Sequence, residues 1–374
     1  MLMPKLIYAS SSKNSDMFYA VRLPIPDPFF YLDMGEKKYV FLDQREYGVF
    51  REHNTNPDIE LVSVNPLYQE AKECTDQTSI ANRLAYRVLE KYGLKDCIIE
   101  VPTSFPLDMA DYLRSKGIVL IHSQHFFPER LIKNTDEIAA IREALLRTQQ
   151  AFLTVENILD NALIEADVVV YKDVPLTSEF LRKQAERILF EHDMINVEGM
   201  IISCGAHAAI PHHQGAGPIR PHQTIVCDIF PRHRASGYFA DMTRTYVKGT
   251  PSDQLQAMYD AVVSAQIQAM NTVSPGTPLS TPHQKCVDLF LDRGYHVGDQ
   301  GFTHSTGHGL GIDIHEAPYV SQNSKNVFEP GHVVTIEPGL YYPQLGGVRI
   351  EDVVVVTKDG FENLTRYPTR FVIP

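Results

Sequence analysis

No stretch of the chain approaches the ~20 consecutive apolar residues that cross a bilayer as a helix, so no membrane-spanning role is expected. Basic residues are also in short supply. Lysine and arginine total 34 against 46 aspartates and glutamates, for a formal net charge of −12. No basic cluster stands out, which argues against nucleic acid and anionic membrane as partners. Met1–Asp16 has no apolar core of signal-peptide length. Only five cysteines occur (Cys74, Cys97, Cys204, Cys227 and Cys286), odd in number and without a CxxC pair. They read as reduced thiols rather than a disulfide framework, and a cytoplasmic location is expected. Cys227 stands beside Asp228 and reads as a small buried strand residue.

What the chain has is length and an ordinary globular composition. Its 374 residues are 44% hydrophobic and 21% charged, enough for two domains with sizeable cores. Residues 1–130 alternate strand-like runs with helical stretches. The runs are Phe29–Leu32, Tyr39–Leu42, Cys97–Val101 and Ile118–Ile121. The helical stretches are Ser79–Tyr92, stopped by Gly93, and Phe105–Lys116, stopped by Gly117. This is an α/β pattern with a mostly parallel sheet. It contains no cluster of ligand-type residues, so a lid or dimerisation role is expected. Pro128–Lys133 reads as the linker. Asn134 then caps a long helix, with Glu137 completing a capping box.

Residues 131–374 read as a duplication. Each half runs helix, helix, strand, strand, strand, an α/β or α+β pattern. In the first half the helices are placed at Asn134–Leu159 and Thr177–Glu191, and the strands at Gly199–Ser203, Thr224–Phe230 and Tyr238–Val247. In the second half the helices are placed at Ser252–Val273 and Thr281–Asp292, and the strands at Phe302–Ser305, His332–Tyr341 and Val348–Val356. The identities differ between halves; only the pattern repeats.

The polar residues fall at matching places. After each first strand comes a histidine, His212 or His308. The second strands carry Asp228 and Glu337, and the third carry Asp241 and Glu351. Any one of these could be a strand-end carboxylate capping a turn. Four at matched positions point to one centre. Four carboxylates in a cavity cannot all stay ionised without a cation. Two divalent metals answer this, and such a pair can turn a shared water into a nucleophile near neutral pH. Thr224-Ile-Val-Cys-Asp228 and Val333-Val-Thr-Ile-Glu337 each end an apolar run on a charge, a costly place in an ordinary core. Glycines at 307, 309 and 311 let the backbone approach closely around His308, and His315 follows seven residues later. Arg349 lies two residues before Glu351, on the same strand face, where a guanidinium could orient a carboxylate. Asp352 points to the opposite face.

Four motifs carry a family resemblance: Ala240-Asp-Met-Thr-Arg-Thr245, His304-x-x-x-His308-Gly-x-Gly with His315-Glu, Thr335-Ile-Glu-Pro-Gly339, and Gly347-Val-Arg-Ile-Glu-Asp352. They resemble the pita-bread metallopeptidases, and within these the Xaa-Pro peptidases, prolidase and aminopeptidase P. The resemblance covers residues from about 130 to the end, and the first region is similar to the creatinase-type N-domain. It implies a metal set of Asp228, Asp241, His308, Glu337 and Glu351, with Asp241 and Glu351 bridging two ions. It implies that Glu337 shuttles a proton, that His212 lies near the scissile carbonyl, that His315 stabilises the tetrahedral intermediate and that His304 lines the substrate pocket with Arg349. Hydroxide held between the metals would attack the bond before proline. The oxygen-rich donor set favours Mn2+, with Zn2+ or Co2+ as alternatives. A homodimer acting on short peptides is implied.

Two departures bear on specificity. The interval from Asp228 to Asp241 is two residues longer than the family pattern. Tyr319 stands where many prolidases carry a basic residue, which removes one partner for a dipeptide carboxylate. His213, His222 and His233 either line the resulting mouth or are solvated loop residues. The other readings are a creatinase-like C–N hydrolase or lyase on a non-peptide molecule, a methionine aminopeptidase, and a non-catalytic binding protein on the same fold. The N-terminal domain and Arg349 argue against methionine aminopeptidase, and the intact ligand set argues against loss of catalysis.

Overall fold

The computed structural model describes residues 3–374; Met1 and Leu2, which begin the expected N-terminal domain and the segment read for a leader, lie outside the described residues. The chain forms two compact units, Met1–Pro128 and Glu129–Pro374. No helix among the described residues is long and apolar enough to cross a membrane.

The first unit is built on a six-stranded sheet in the order Ile59–Ser63, Lys38–Leu42, Phe29–Asp33, Lys5–Ala9, Ile98–Pro102, Val119–Ser123. Three of the five pairings are parallel and two antiparallel. Both faces are buried, which is why the inner strands read as unbroken apolar runs. Leu6, Phe30 and Phe41 face one core, while Ile7, Tyr31 and Val40 face the other. The strands Lys5–Ala9 and Ile59–Ser63 were not among the expected ones. Helix Ile80–Lys91 starts at Ser79, whose side chain accepts from Asn82 N–H.

The second unit opens on helix Thr135–Asp160. The Asn134 side chain accepts from the Glu137 backbone N–H while Glu137 accepts from that of Asn134, as the capping box requires. An unexpected three-stranded hairpin element, Leu163–Glu165, Val168–Tyr171 and Val174–Pro175, precedes helix Ser178–Glu191. Two sheets then carry the chemistry. One runs Ile201–Cys204, Thr224–Ile229, Met242–Lys248, Val372–Ile373. The other runs Glu316–Val320, Gly307–Gly309, Val333–Ile336, Asp352–Val356, Phe361–Asn363. Helices Asp253–Met270 and Thr281–Asp292 pack into the core of the second sheet through Met258, Val262, Cys286 and Phe290.

Three departures from the expected strands position the site. Residues 302–305 form no strand; Gly307–Gly309 takes that place. A Cβ on Gly307 would lie 1.9 Å from the Thr335 carbonyl oxygen, so only glycine admits the neighbouring strand so closely. The run His332–Tyr341 splits at Glu337-Pro338 into Val333–Ile336 and Gly339–Tyr342, which join different sheets. Proline offers no N–H to continue the ladder. The run Val348–Val356 likewise splits at Ile350-Glu351. Glu337 and Glu351 therefore sit where the chain leaves one sheet for another, and their side chains are released into the gap.

Candidate metal centre

Asp228, Asp241, His308, Glu337 and Glu351 all line one cavity of about 530 Å³. That size suits a small ligand. Each is placed by a strand or strand end. Asp228 lies in strand Thr224–Ile229, in register with Thr243 of the adjacent strand. Asp241 immediately precedes Met242–Lys248. His308 is the central residue of Gly307–Gly309. One ligand atom each from Asp241, His308 and Glu351 lies within 4.8 Å of the others. His308 Nε2 is 3.2 Å from Glu337 Oε1 and 3.5 Å from Asp241 Oδ2. His308 Nδ1 meets the Gly309 carbonyl at 3.1 Å, which makes Nδ1 the donor and turns Nε2 inward.

These residues fit a cation on chemical grounds. Asp228 Oδ1 and Glu351 Oε1 are buried oxygens with no hydrogen-bond partner. A buried acceptor left unpaired is costly unless something positive meets it. The titration of the cluster shows the same strain. Burial, reinforced by Glu351, Asp228 and Glu337, pushes Asp241 well above the usual carboxylate range. Burial with Glu337 and Asp228 does the same to Glu351. Burial also raises Asp228, partly offset by Arg349. Burial would raise Glu337 as well, but its hydrogen bond to His308 and that residue's charge bring it down to about 2. Buried acids crowded in this way resist ionising together, and divalent cations among them would remove that opposition.

A tight set of neighbours orients the cluster. Arg349, only 4% exposed, donates from Nη2 to Asp228 Oδ2 at 2.7 Å and from Nη1 to the Tyr341 hydroxyl at 2.7 Å. The sequence suggested a bridging carboxylate as its partner; Asp228 is the partner found. Tyr341 meets His304 Nε2 at 2.9 Å, and His304 Nδ1 meets the Ser305 carbonyl at 2.7 Å. Burial lowers the His304 pKa, so the ring is neutral and both its nitrogens are engaged. Thr243 donates to Glu351 Oε2 at 2.7 Å, and Thr335 to Glu337 Oε1 at 3.1 Å. Sequence reading missed Tyr341, Thr243 and Thr335. Thr243 and Thr335 stand inside the quoted motifs, but their partners are set by strand register.

His212 and His315 also line the cavity and are exposed to it. The His315 ring meets His308 edge-on, with centroids 4.3 Å apart, and burial together with His308 lowers its pKa. The loop carrying His315 is held from behind. The Glu316 carboxylate takes Lys133 Nζ at 2.6 Å and Arg130 Nη2 at 2.7 Å, and Arg130 also holds Asp313 at 2.6 Å. Tyr319 lines the cavity, as does Phe230 at the start of the long turn. His213, His222 and His233 do not line it. His213 stacks on His207 with centroids 4.0 Å apart, His222 accepts from the Thr250 N–H, and His233 bonds Ser236. Within the long turn, Arg232–His233 pairs with Met194–Ile195.

The sequence model of metallopeptidase family M24 matches residues 139–358, which include all five candidate ligands. The chain belongs to that family. It is thus a metal-dependent peptidase by descent, and the family implies divalent ions at the carboxylate–histidine cluster. This M24 chain is 34% identical over 245 residues to the uncharacterized peptidase YqhT of Bacillus subtilis, an alignment covering 65% of each chain. It is 28% identical to an Xaa-Pro dipeptidase of Pyrococcus furiosus over 89% of this chain and 85% of that one. Among solved structures, an Xaa-Pro dipeptidase from Bacillus anthracis matches with a TM-score of 0.80 at 24% identity, over 99% of this chain and 94% of that one. The likeness extends the shared fold to both units.

Proposed function

We propose that this chain hydrolyses the bond preceding proline at the N-terminus of short peptides. The observation that carries the reading is the cavity itself. Five metal-type ligands meet there beside two exposed histidines, in a chain whose relatives include Xaa-Pro dipeptidases. Asp228, Asp241, His308, Glu337 and Glu351 would hold two divalent ions, with Mn2+ favoured by four carboxylates against one imidazole. When bound, such ions polarise the scissile carbonyl and supply a nucleophile from water at neutral pH.

The chain's own groups do the rest. Glu337 takes a proton from the attacking water and returns it to the proline nitrogen as the C–N bond breaks; that nitrogen carries no N–H of its own. Thr335 holds Glu337 Oε1 in place for this. His212 and His315 donate hydrogen bonds to the carbonyl oxygen as negative charge develops on it. The His304 ring, fixed through both nitrogens, walls the pocket together with Met200, Phe230 and Ile314, and this surface suits a compact pyrrolidine. The first unit serves as a creatinase-type domain, and a homodimer in the cytoplasm is the expected state; the five unpaired thiols support the location.

The test is hydrolysis of Xaa-Pro dipeptides, Xaa-Pro-Yaa tripeptides and Met-Yaa peptides with added Mn2+. Turnover confined to the proline peptides, abolished in Glu337→Gln, is the expected result. Turnover of no proline peptide by a protein loaded with divalent metal would defeat the reading.

A further inference from the structure

Five carboxylates line the cavity, and four of them form the cluster that cations would neutralise. Glu198 stands apart. It lies on the segment entering strand Ile201–Cys204 and is exposed to the cavity. Gly199 beside it has φ +95, and a Cβ there would lie 2.7 Å from Gln214 Nε2, so the Gln214 amide is packed against the backbone next to Glu198. The Glu198 charge reaches His315, where it opposes the effect of burial. Among the described residues, no hydrogen bond or ion pair holds its carboxylate.

The balance of cations is the second observation. Among the described residues, Arg349 is the only lysine or arginine lining the cavity, and Asp228 and Tyr341 occupy it. Tyr319 offers no charge. With the cluster neutralised, the cavity keeps one uncommitted carboxylate. A ligand whose charge complements that wall is positive near Glu198.

We infer that Glu198 reads positive charge on the first residue of the substrate peptide. The inference rests on the peptidase reading above. The charge is either the α-ammonium, present on every free N-terminus, or the side chain of a first-position arginine or lysine.

Arg-Pro-Ala-Ala, Leu-Pro-Ala-Ala and Glu-Pro-Ala-Ala are compared on the wild-type chain and on Glu198→Gln. Each is read twice, by kcat/KM with Mn2+ and by calorimetric Kd with Mn2+ on a Glu337→Gln background, where turnover is abolished. The wild-type chain is expected to favour the arginine peptide over the leucine peptide by about threefold to fivefold, the scale of a solvent-accessible ion pair, and the glutamate peptide is expected to be worst. High salt shrinks the advantage. Glu198→Gln abolishes it if the side chain is the source. If the α-ammonium is the source, the variant weakens all the peptides by a similar factor, and N-acetylation reproduces the loss on the wild-type chain. An arginine preference that survives Glu198→Gln, or binding of every peptide indifferent to the variant, overturns the inference. Failure of the peptidase reading looks different: no proline peptide is hydrolysed, while the Glu198-dependent difference in Kd persists.

Discussion

The Glu316 contacts predict a specific response to Glu316→Ala. The Lys133 side chain is 2% exposed, Glu316 10% and Arg130 15%, so the ions are largely out of water. Burial opposes the Arg130 charge, yet Glu316 and Asp313 outweigh it and hold its pKa above the ordinary value. Removing the carboxylate leaves Arg130 with Asp313 but strands the Lys133 ammonium. Stranding one member of a buried pair costs about 3–5 kcal/mol. For a unit of this size that is a fall in melting temperature of roughly 6–20 °C. A second effect follows from sequence adjacency. Glu316 also accepts from the Asp313 N–H at 3.3 Å, and a Cβ on Gly311 would lie 2.3 Å from Glu316 Oε1, so the carboxylate is the filling around which the 311–316 loop closes. His315 rides on that loop. Its loss of position is expected to lower kcat while metal affinity, measured by titration calorimetry, holds. Thermal melts of Glu316→Ala, Lys133→Met and the double variant give the coupling directly. The double variant is expected to recover more than half of the single-variant loss, because no buried charge is then stranded. Additive costs would refute the ion-pair argument, and an unaltered kcat in a destabilised protein would refute the link to His315.

Three further outcomes are expected. Asp241→Asn removes one of four crowded carboxylates, so the metal-free form melts higher than the wild-type chain, while the stabilisation by Mn2+ disappears; a lower metal-free melting temperature would count against the electrostatic account. Arg349→Met frees Asp228 to swing and weakens metal binding by about 10- to 100-fold, and Arg349→Lys does not rescue it because an ammonium cannot fork between Asp228 and Tyr341. In the first unit, Asp76 is held at about 2 by Lys116 and Tyr112. A carboxyl depressed in the folded state gives stability that is present above its unfolded value of about 3.9 and lost as pH falls toward 2. Urea unfolding followed between about pH 5 and pH 2 should therefore show a shallower decline for Asp76→Asn than for the wild-type chain. Parallel curves would remove Asp76 as a contributor.

Asp228 and Glu337 were legible in the sequence as candidate ligands because charge at the end of an apolar run is anomalous by itself, and Asp241, His308 and Glu351 became candidates through their matched positions and motifs. Val333-Val-Thr-Ile-Glu337 carries that anomaly in five residues, and its counterpart at Thr224–Asp228 repeats it. The supporting groups were not legible, since their roles depend on which strand lies alongside. Tyr341 reads as one more aromatic in a strand. Only the pairing of Gly339–Tyr342 with Gly346–Arg349 places its hydroxyl between Arg349 and His304. Glu198 was hidden for a related reason. It is an ordinary surface glutamate until the cavity wall and the commitments of Arg349 are known. The hairpin element at residues 163–175 is short-stranded and mostly exposed, and its apolar run Val168–Tyr171 was passed over between the two helices.

The duplication explains why the halves need one seam to make one site. Thr243 and Glu351 form a bridge between the two sheets, with the Glu351 N–H donating to the Thr243 carbonyl at 3.1 Å. Side chains alternate along strand Met242–Lys248. Thr243 therefore reaches the Glu351 carboxylate, and Thr245 exchanges hydrogen bonds with the Arg349 backbone at 2.8 and 3.0 Å. Arg244, between them, points the other way. It is fully buried, donating to the Glu351 carbonyl at 2.7 Å and to Asp352 Oδ1 at 2.8 Å. Three consecutive positions, 243 to 245, thus fix Arg349 and Glu351 of the other half from both faces of one strand. Asp352 is accounted for in the same way: it serves as the counter-ion of the seam. A candidate ligand contributed across such a junction is only as well placed as the junction is rigid, and the Thr-Arg-Thr run ties Glu351 and Arg349 to it through side chain and backbone alike.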